Sequence, residues 1–324
     1  MERSVKIDWM AFTSHRPLNE LLALFQKLPI PMEVKDKGLH GYAFCCSWPG
    51  MVNVLYSAGR PDIHVQITGR GCDNFSFVAL LDLLVPGDSV TRCDIALDCM
   101  NAGFTCADIW GYLQRGDYIS VSSSIRKFEW LVQGPERGYT IYIGSSSSER
   151  MVRIYDKGKE SGTGTDWLRY EVQLKGRSAN TFVLKVMKDG DFEKKAMGLL
   201  SKQIRLIQPM QHDLKENQHY SRIKNISYWD ELTDCQRPFS LVLPKRTKTI
   251  TTVMRHVKNT AASLKCLRGG MLDYDEWIHD LVDSVDLKAK HVQIQNEMLM
   301  PDQQAVDYMS VFPIIEADVH IPFC

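Results

Sequence analysis

Long apolar runs are missing from this sequence of 324 residues. The longest run, Phe77–Val85, is interrupted by Asp82 and is far shorter than the roughly 20 residues that span a bilayer. The first nine residues, MERSVKIDW, lack the apolar core of a signal peptide. We therefore expect a cytoplasmic protein that has no membrane partner.

The sequence also lacks the cysteine and histidine pairs that bind metals and the glycine-rich loop that binds nucleotides. The nine cysteines include no C-x-x-C pair, so we expect reduced, mostly buried thiols and no structural zinc site. The nine histidines include no H-x-H pair, which argues against a histidine-paired metal site. No G-x-x-x-x-G-K-[ST] loop is present, so any ATP hydrolysis would have to come from another protein.

The charges balance over the whole chain but are unevenly distributed. Lys and Arg total 39, and so do Asp and Glu. Residues 185–270 carry 17 basic and 8 acidic side chains, whereas residues 271–324 carry 2 basic and 11 acidic ones. A basic segment favours a polyanionic partner, but the acidic segment after it could also neutralise it within one fold. Charge alone leaves both interpretations open.

Hydrophobic periodicity predicts an α+β protein, since alternation of period two marks strands and spacing of three or four marks helices. The predicted strands are Val5–Thr13, a hairpin region at Tyr42–Thr68, 91–98, Tyr139–Gly144, Met151–Lys157 and Asp166–Lys175. The predicted helices are Leu18–Leu28, Phe75–Leu84, Cys106–Gln114, Ala179–Lys188, Ile250–Leu267 and Tyr274–Val285.

Two of these strands have similar sequences, T-R-C-D-I-A-L-D at 91–98 and L-R-Y-E-V-Q-L-K at 168–175, and each precedes a predicted helix. The similarity predicts two related antiparallel-sheet units with helices on one face. The predicted organisation is a first domain at 1–190, duplicated internally as about 1–117 and 118–190, a basic connecting region at 191–248 and a mostly helical C-terminal region at 249–324.

The predicted strands place polar side chains together, because successive strand residues point to opposite faces. In each of three predicted strands, one face carries a set of polar residues. These sets are Arg92, Asp94 and Asp98; Arg153, Tyr155 and Lys157; and Arg169, Glu171, Gln173 and Lys175. Tyr142 lies on a further strand, and Tyr170 turns toward the core. If the strands adjoin, one face combines tyrosine hydroxyls, cations and carboxylates.

That combination suits phosphodiester chemistry. A tyrosine hydroxyl, with an ordinary pKa of about 10, needs assistance to act as a nucleophile at neutral pH. Nearby Lys or Arg stabilises charge on an attacked phosphate, and carboxylates can hold Mg²⁺ or Mn²⁺. Each feature alone is more typical of an ordinary strand: a tyrosine beside Arg and Lys is usually a half-buried surface residue, and R-x-D or R-x-E is usually an ion pair. Only the combination favours catalysis.

Five motifs, in order along the chain, resemble the replication initiation factor family, the Rep_trans-type rolling-circle initiators of plasmids, filamentous phages and integrative elements. The motifs are V-Q-I-T-G-R-G-C at 65–72, T-R-C-D-I-A-L-D at 91–98, I-Y-I-G-S-S-S-S at 141–148, V-R-I-Y-D-K-G-K-E at 152–160 and L-R-Y-E-V-Q-L-K at 168–175. The resemblance runs from about residue 5 to residue 190. It implies a nickase whose tyrosine attacks one strand at the origin, stays linked to the 5′ phosphate and leaves a 3′ hydroxyl as primer.

Carried onto this sequence, the resemblance implies a role for each site residue. Tyr155 is the nucleophile, with Tyr142 in reserve. The implied metal ligands, for Mg²⁺ or Mn²⁺, are Asp94, Glu171 and Asp98. The residues that hold the scissile phosphate are Arg153, Lys157 and Arg169. The expected DNA-binding residues are Arg92, Lys175, Arg177, Lys245, Arg246 and Lys248.

The expected partners are single- and double-stranded origin DNA, a host helicase and polymerase, and a second copy of the chain in a homodimer. The competing hypothesis is a non-catalytic origin-binding or regulatory protein that kept the fold and lost the chemistry. A polyanion-binding structural protein is disfavoured by the ordered motifs.

Overall fold

The computed structural model describes residues 1–131, 137–209, 223–243, 260–261, 264–270, 273–284 and 286. The chain divides into two units, Met1–Leu243 and Pro244–Cys324. The strands and the cavities described below belong to the first unit. In the second unit, the described part includes one amphipathic helix, Tyr274–Asp283, in which no residue is buried.

The elements follow one another in a mixed order of strands and helices. The strands are β1 (Glu2–Ser14), β2 (Glu33–Lys35), β3 (Phe44–Trp48), β4 (Val52–Tyr56), β5 (Ile63–Ile67), β6 (Ser89–Met100), β7 (Tyr118–Ser120), β8 (Ile125–Leu131), β9 (Arg137–Ile143), β10 (Arg150–Asp156), β11 (Trp167–Lys175) and β12 (Ile204–Leu206). The helices are α1 (Leu18–Ala23), α2 (Gly69–Cys72), α3 (Phe77–Asp82), α4 (Cys106–Arg115), α5 (Lys157–Glu160), α6 (Gly176–Asp189), α7 (Phe192–Gln203), α8 (Ser227–Leu232) and α9 (Tyr274–Asp283).

Ten of the strands form one antiparallel sheet in the order β2-β3-β4-β5-β1-β6-β11-β10-β9-β8, which confirms the α+β prediction. The two predicted sheet units are joined within it, because β6 pairs with β11 from Trp167 opposite Met100 to Lys175 opposite Arg92. Pairing of these two strands removes the exposed edges that separate sheets would have. The internal duplication itself stays a prediction.

The hydrophobic core lies under one face of this sheet, where α4, α6 and α7 pack against the strands. Alternation puts apolar side chains on that face, among them the fully buried Phe12 and Val152. Tyr170 is also fully buried, as predicted, with its hydroxyl 2.9 Å from that of Tyr228. The opposite face is left to the polar side chains.

Two sequence-based boundaries need correction. The helix predicted at Leu18–Leu28 ends at Ala23. The following residues form tighter turns, such as the bond from the Leu28 N–H to the Phe25 carbonyl, which let Phe25 reach the core. Lys157, predicted to end a strand, begins α5. The predicted helix at Ile250–Leu267 lies largely outside the described residues, and the other predicted elements differ only at their ends.

The cysteines agree with the expectation of reduced thiols. Six of the described cysteines are buried, and every described cysteine is a free thiol. Among the described residues, no helix has both the length and the apolar character needed to cross a membrane.

Gly158 in α5 offers a test of this part of the fold. A Cβ atom at Gly158 would lie only 1.9 Å from the backbone oxygen of Thr165, so Gly158→Ala must displace the loop after α5. We expect it to lower the free energy of unfolding by about 1–3 kcal/mol, as overpacking does. The control is Gly111→Ala in α4, where the added methyl meets only the end of the Arg115 side chain and should stabilise by about 0.5–1 kcal/mol. Urea denaturation measures both, and equal effects would contradict the prediction.

Candidate active site

The polar face of the sheet is built by the register of β6, β11 and β10. Residues directly opposite each other in neighbouring strands point to the same face. Glu171 lies opposite Arg153, and Arg169 lies opposite both Tyr155 and Asp98. The strands that carry the conspicuous motifs therefore adjoin, and the side chains of five motif residues come together.

A cavity of about 330 Å³, here called the tyrosine cavity, opens on this face. It is lined by Asp8, Thr140, Tyr142, Arg153, Tyr155, Lys157, Glu160 and Glu171. Of these, five were singled out from the sequence. The cavity combines two phenols, two cations and three carboxylates.

Tyr155 is largely buried in this cavity, with 8% of its surface exposed. Its hydroxyl donates a hydrogen bond to Glu171 Oε2 at 3.3 Å. Burial, followed by the negative charge of Glu171, raises the pKa of Tyr155 above its ordinary value. The phenol is consequently protonated at neutral pH in the DNA-free protein, and its nearest proton acceptor is a carboxylate.

Glu171 is in an equally unusual environment. Burial raises the pKa of its carboxyl, and the negative charges of Asp94 and Asp8 raise it further, while Arg153 opposes the shift. Arg153 Nη2 contacts Glu171 Oε1 and lies 3.6 Å from Asp94 Oδ2. One cationic nitrogen thus lies between two buried carboxylates. The buried Nε of Arg153 has no hydrogen-bond partner within the described residues.

Arg169 is held by two carboxylates beside the cavity. Its Nε and Nη2 donate to the two carboxylate oxygens of Asp98 at 2.6 and 2.9 Å, and its Nη1 donates to Asp8 at 2.9 Å. Asp98 also accepts a bond of 2.7 Å from the indole of Trp167. Both oxygens of Asp98 are therefore occupied, and the position of Arg169 is fixed by a buried ion pair.

Asp8 reaches this position through an irregularity in β1. Ile7 pairs with Ile95 and Trp9 with Asp94, so Asp8 is an extra residue with no partner of its own in β6. The short helix α2 packs directly beside Asp8, since a Cβ atom at Gly69 of α2 would lie 3.2 Å from Asp8. A bulge changes the direction in which a side chain points. This explains how the Asp8 side chain reaches the polar side chains of β10 and β11. Sequence reasoning missed Asp8, and alternation gives no indication of the bulge.

Lys157 and Glu160 complete the cavity from α5. Their side chains form an ion pair across one turn of helix. The Lys157 ammonium also lies 5.9 Å from the centre of the Tyr155 ring. The sequence predicted Lys157 in the site, but Glu160 was missed because its role depends on the turn of α5.

The other expected site residues are more dispersed. Arg92 donates to Asp94 at 2.9 Å and stacks over Trp9, Lys175 donates to the Ser146 carbonyl, and Arg177 lies 3.6 Å from Glu149. Tyr142 lines the tyrosine cavity, and its ring packs edge-on against Phe128. The expected DNA-binding residues Lys245, Arg246 and Lys248 lie outside the described residues.

Asp94 and Glu171 are the two carboxylates at this site that would hold a divalent cation. Glu171 contacts Arg153 Nη2 and Asp94 lies 3.6 Å from that nitrogen, and both carboxylates are hard oxygen donors. Arg92, however, donates to both oxygens of Asp94, as Arg169 does to those of Asp98. Within the described residues, no group of three or more His, Cys, Asp or Glu side chains is arranged to hold a metal ion. Mg²⁺ commonly uses one or two carboxylates together with substrate phosphates, so a two-carboxylate site fits that ion.

Comparison with known proteins identifies the family of this chain. The family model described as replication initiation factor matches residues 88–282, which is more than half of the chain. This chain belongs to the replication initiation factor family. Within the match lie β6, β10 and β11, which supply the predicted nucleophile and metal ligands, whereas Asp8 lies before it.

Two known proteins are similar to this chain. The chain is 26% identical over 254 residues to the putative DNA relaxase NicK of Bacillus subtilis (strain 168), covering 70% of this chain and 68% of that protein. A solved structure, the rolling circle replication initiator protein from Geobacillus stearothermophilus, is 22% identical, with a TM-score of 0.61. That match covers 75% of this chain and 100% of the other, and it shows a shared fold.

Proposed function

We propose that this chain starts rolling-circle replication by nicking, and later rejoining, one DNA strand through Tyr155. The observation that carries the proposal is the hydrogen bond from the Tyr155 hydroxyl to Glu171 inside a cavity whose walls also carry Arg153 and Lys157. Family membership and a relative described as a putative DNA relaxase support it. A phenol, a proton acceptor and two cations are the groups that such a transfer requires.

The proposed chemistry assigns one step to each group. The Tyr155 oxygen attacks the scissile phosphorus, and its proton passes to Glu171. The bond from phosphorus to the 3′ oxygen breaks, and the leaving oxygen takes a proton from water. The products are a 5′-phosphotyrosine and a 3′ hydroxyl that can prime synthesis. Arg153 and Lys157 stabilise the charge that develops on the phosphate. Arg169, held by Asp98 and Asp8, orients the phosphate from the β11 side.

The divalent cation, Mg²⁺ or Mn²⁺, would be held by Asp94 and Glu171. When bound, it would polarise a nonbridging phosphate oxygen. Arg153 must then turn from the two carboxylates toward the phosphate, and Arg92 must release an oxygen of Asp94. Asp98, whose oxygens are taken by Arg169 and Trp167, is proposed to position Arg169.

The wider functional proposals concern partners. Arg92, Lys175 and Arg177, together with the basic residues after 243, would contact DNA phosphates and make binding strongly dependent on salt. A host helicase and polymerase would act after the nick, and a homodimer is proposed as the binding form. These proposals follow from the proposed reaction.

One specific observation favours a non-catalytic origin-binding protein as the second candidate. Tyr155 is only 8% exposed, and each cation of the tyrosine cavity is paired with a carboxylate, as expected of a site that has lost its chemistry. Both candidates bind DNA, so binding alone does not separate them.

The decisive experiment is a nicking assay with full-length protein and Mg²⁺. The substrate is supercoiled plasmid carrying the DNA that flanks the coding sequence. We expect nicked circles and a protein linked to the 5′ end, with peptide mapping that identifies Tyr155 as the linked residue. EDTA should abolish the adduct. Specific binding without any adduct would instead support the non-catalytic candidate.

A further inference from the structure

A second cavity lies directly behind the tyrosine cavity, on the opposite face of the same two strand ends. This cavity, here called the α5 cavity, has a volume of about 470 Å³, which is within the range of small-ligand sites. Asp156 lines it, whereas the preceding residue, Tyr155, lines the tyrosine cavity. α5 borders both cavities, with Lys157 and Glu160 on one side and Lys159 on the other.

The walls of the α5 cavity combine aromatic side chains with carboxylates. Phe104 and Tyr139 contribute apolar surface, and the small side chain of Ala107 in α4 also lines the cavity. Asp156 accepts a bond from the Tyr139 N–H at 3.1 Å, and Asp166 accepts one from the Gly103 N–H at 3.0 Å. These bonds fix the two carboxylates, and each still has lone pairs that can accept from a ligand.

The charge of the cavity decides what kind of ligand it fits. Asp156 and Asp166 outnumber the single cation Lys159 in the lining, so a free phosphate or other anion is disfavoured. A flat, uncharged ring with N–H donors fits both the aromatic walls and the carboxylate acceptors. Guanine presents two adjacent N–H groups to a carboxylate, whereas thymine presents mainly carbonyl oxygens that carboxylates repel.

We propose that the α5 cavity binds one unpaired guanine of the strand that is cut, close to the scissile phosphate. The proposal rests on the proposed function for its DNA substrate and adds a base-specific subsite to it. Because Asp156 follows Tyr155 directly, a base held there would fix which phosphate reaches the nucleophile. Bases taken out of a stack are commonly held in this way, by stacking and by hydrogen bonds to their pairing edge.

The test measures binding without cleavage. Full-length protein in EDTA is titrated against fluorescent single strands of about 12 nucleotides, a usual site size for single-strand binding. One probe is oligothymidylate, and the other has guanines at its centre. We expect the guanine probe to bind about tenfold more tightly, in line with the discrimination that one bidentate hydrogen-bonded base contact provides.

Matched variants test whether the guanine preference arises in the α5 cavity. Ala107→Phe fills the cavity and should remove the guanine preference, while Gln114→Phe, at another exposed position near the far end of α4, should keep it. Asp166→Asn, which can still accept from the Gly103 N–H, should weaken the preference and serves if Ala107→Phe fails to fold. Thermal melting checks the fold of each variant.

The outcomes separate this proposal from the proposed function. Equal binding of the two probes, no binding of either, or an unchanged preference in Ala107→Phe would overturn the guanine subsite. A guanine preference that Ala107→Phe removes, in a protein that forms no covalent adduct with Mg²⁺, would support the subsite and refute the nicking activity.

Discussion

Tyr155→Phe is expected to abolish the covalent DNA adduct while leaving DNA binding unchanged. The substitution removes the oxygen that would attack the phosphate but keeps the ring that faces the Lys157 ammonium at 5.9 Å. The lost hydrogen bond to Glu171 should cost only about 1 kcal/mol of stability, because Glu171 keeps its contact with Arg153. Denaturing gels that resolve the protein–DNA adduct, with filter binding in parallel, measure both properties.

Tyr142→Phe is the matched control, since Tyr142 lines the same cavity and was the reserve nucleophile. Its hydroxyl has no described bond to Glu171, so we expect this variant to form adduct at the wild-type level. An adduct that persists in Tyr155→Phe and disappears in Tyr142→Phe would reverse the assignment. Persistence in both single variants would mean that neither phenol is the sole nucleophile.

Alternation along single strands was enough to predict much of this site. It placed Arg153 and Tyr155 on one face of β10, and Arg169 and Glu171 on one face of β11. The register between the two strands then puts all four side chains on the same face of the sheet. It also placed Tyr170 in the core, where it is fully buried. Such predictions succeed because the side-chain period of a strand depends only on local geometry.

The sequence could not predict features that depend on a bulge or on long-range pairing. Asp8 reaches Arg169 only because β1 contains one extra residue opposite β6. Likewise, the family resemblance implied a metal-ligand role for Asp98, which shares a strand face with Asp94, yet its oxygens bond to Arg169 and Trp167 on a strand about 70 residues away. No periodicity within β6 indicates that partner.

Asp98→Asn is expected to destabilise the metal-free protein strongly. Arg169 is buried, with 3% of its side chain exposed, and Asp98 supplies two of its three described carboxylate bonds. Removing one partner of a buried pair leaves a poorly compensated charge, so we expect a loss of about 3 kcal/mol. For a unit of this size, that loss lowers the melting temperature by roughly 6–12 °C. Calorimetry in EDTA measures it.

The same measurement distinguishes the two roles considered for Asp98. If Asp98 were chiefly a metal ligand, its replacement in EDTA would relieve repulsion among carboxylates, and the protein would keep or gain stability. Asp73→Asn is the control, because its ion pair with Lys6 is solvent-exposed and should contribute less than about 1 kcal/mol. A loss confined to Asp98→Asn, accompanied by weaker adduct formation, identifies Asp98 as the residue that positions Arg169. Equal melting temperatures for the two variants would instead restore Asp98 to the set of metal ligands.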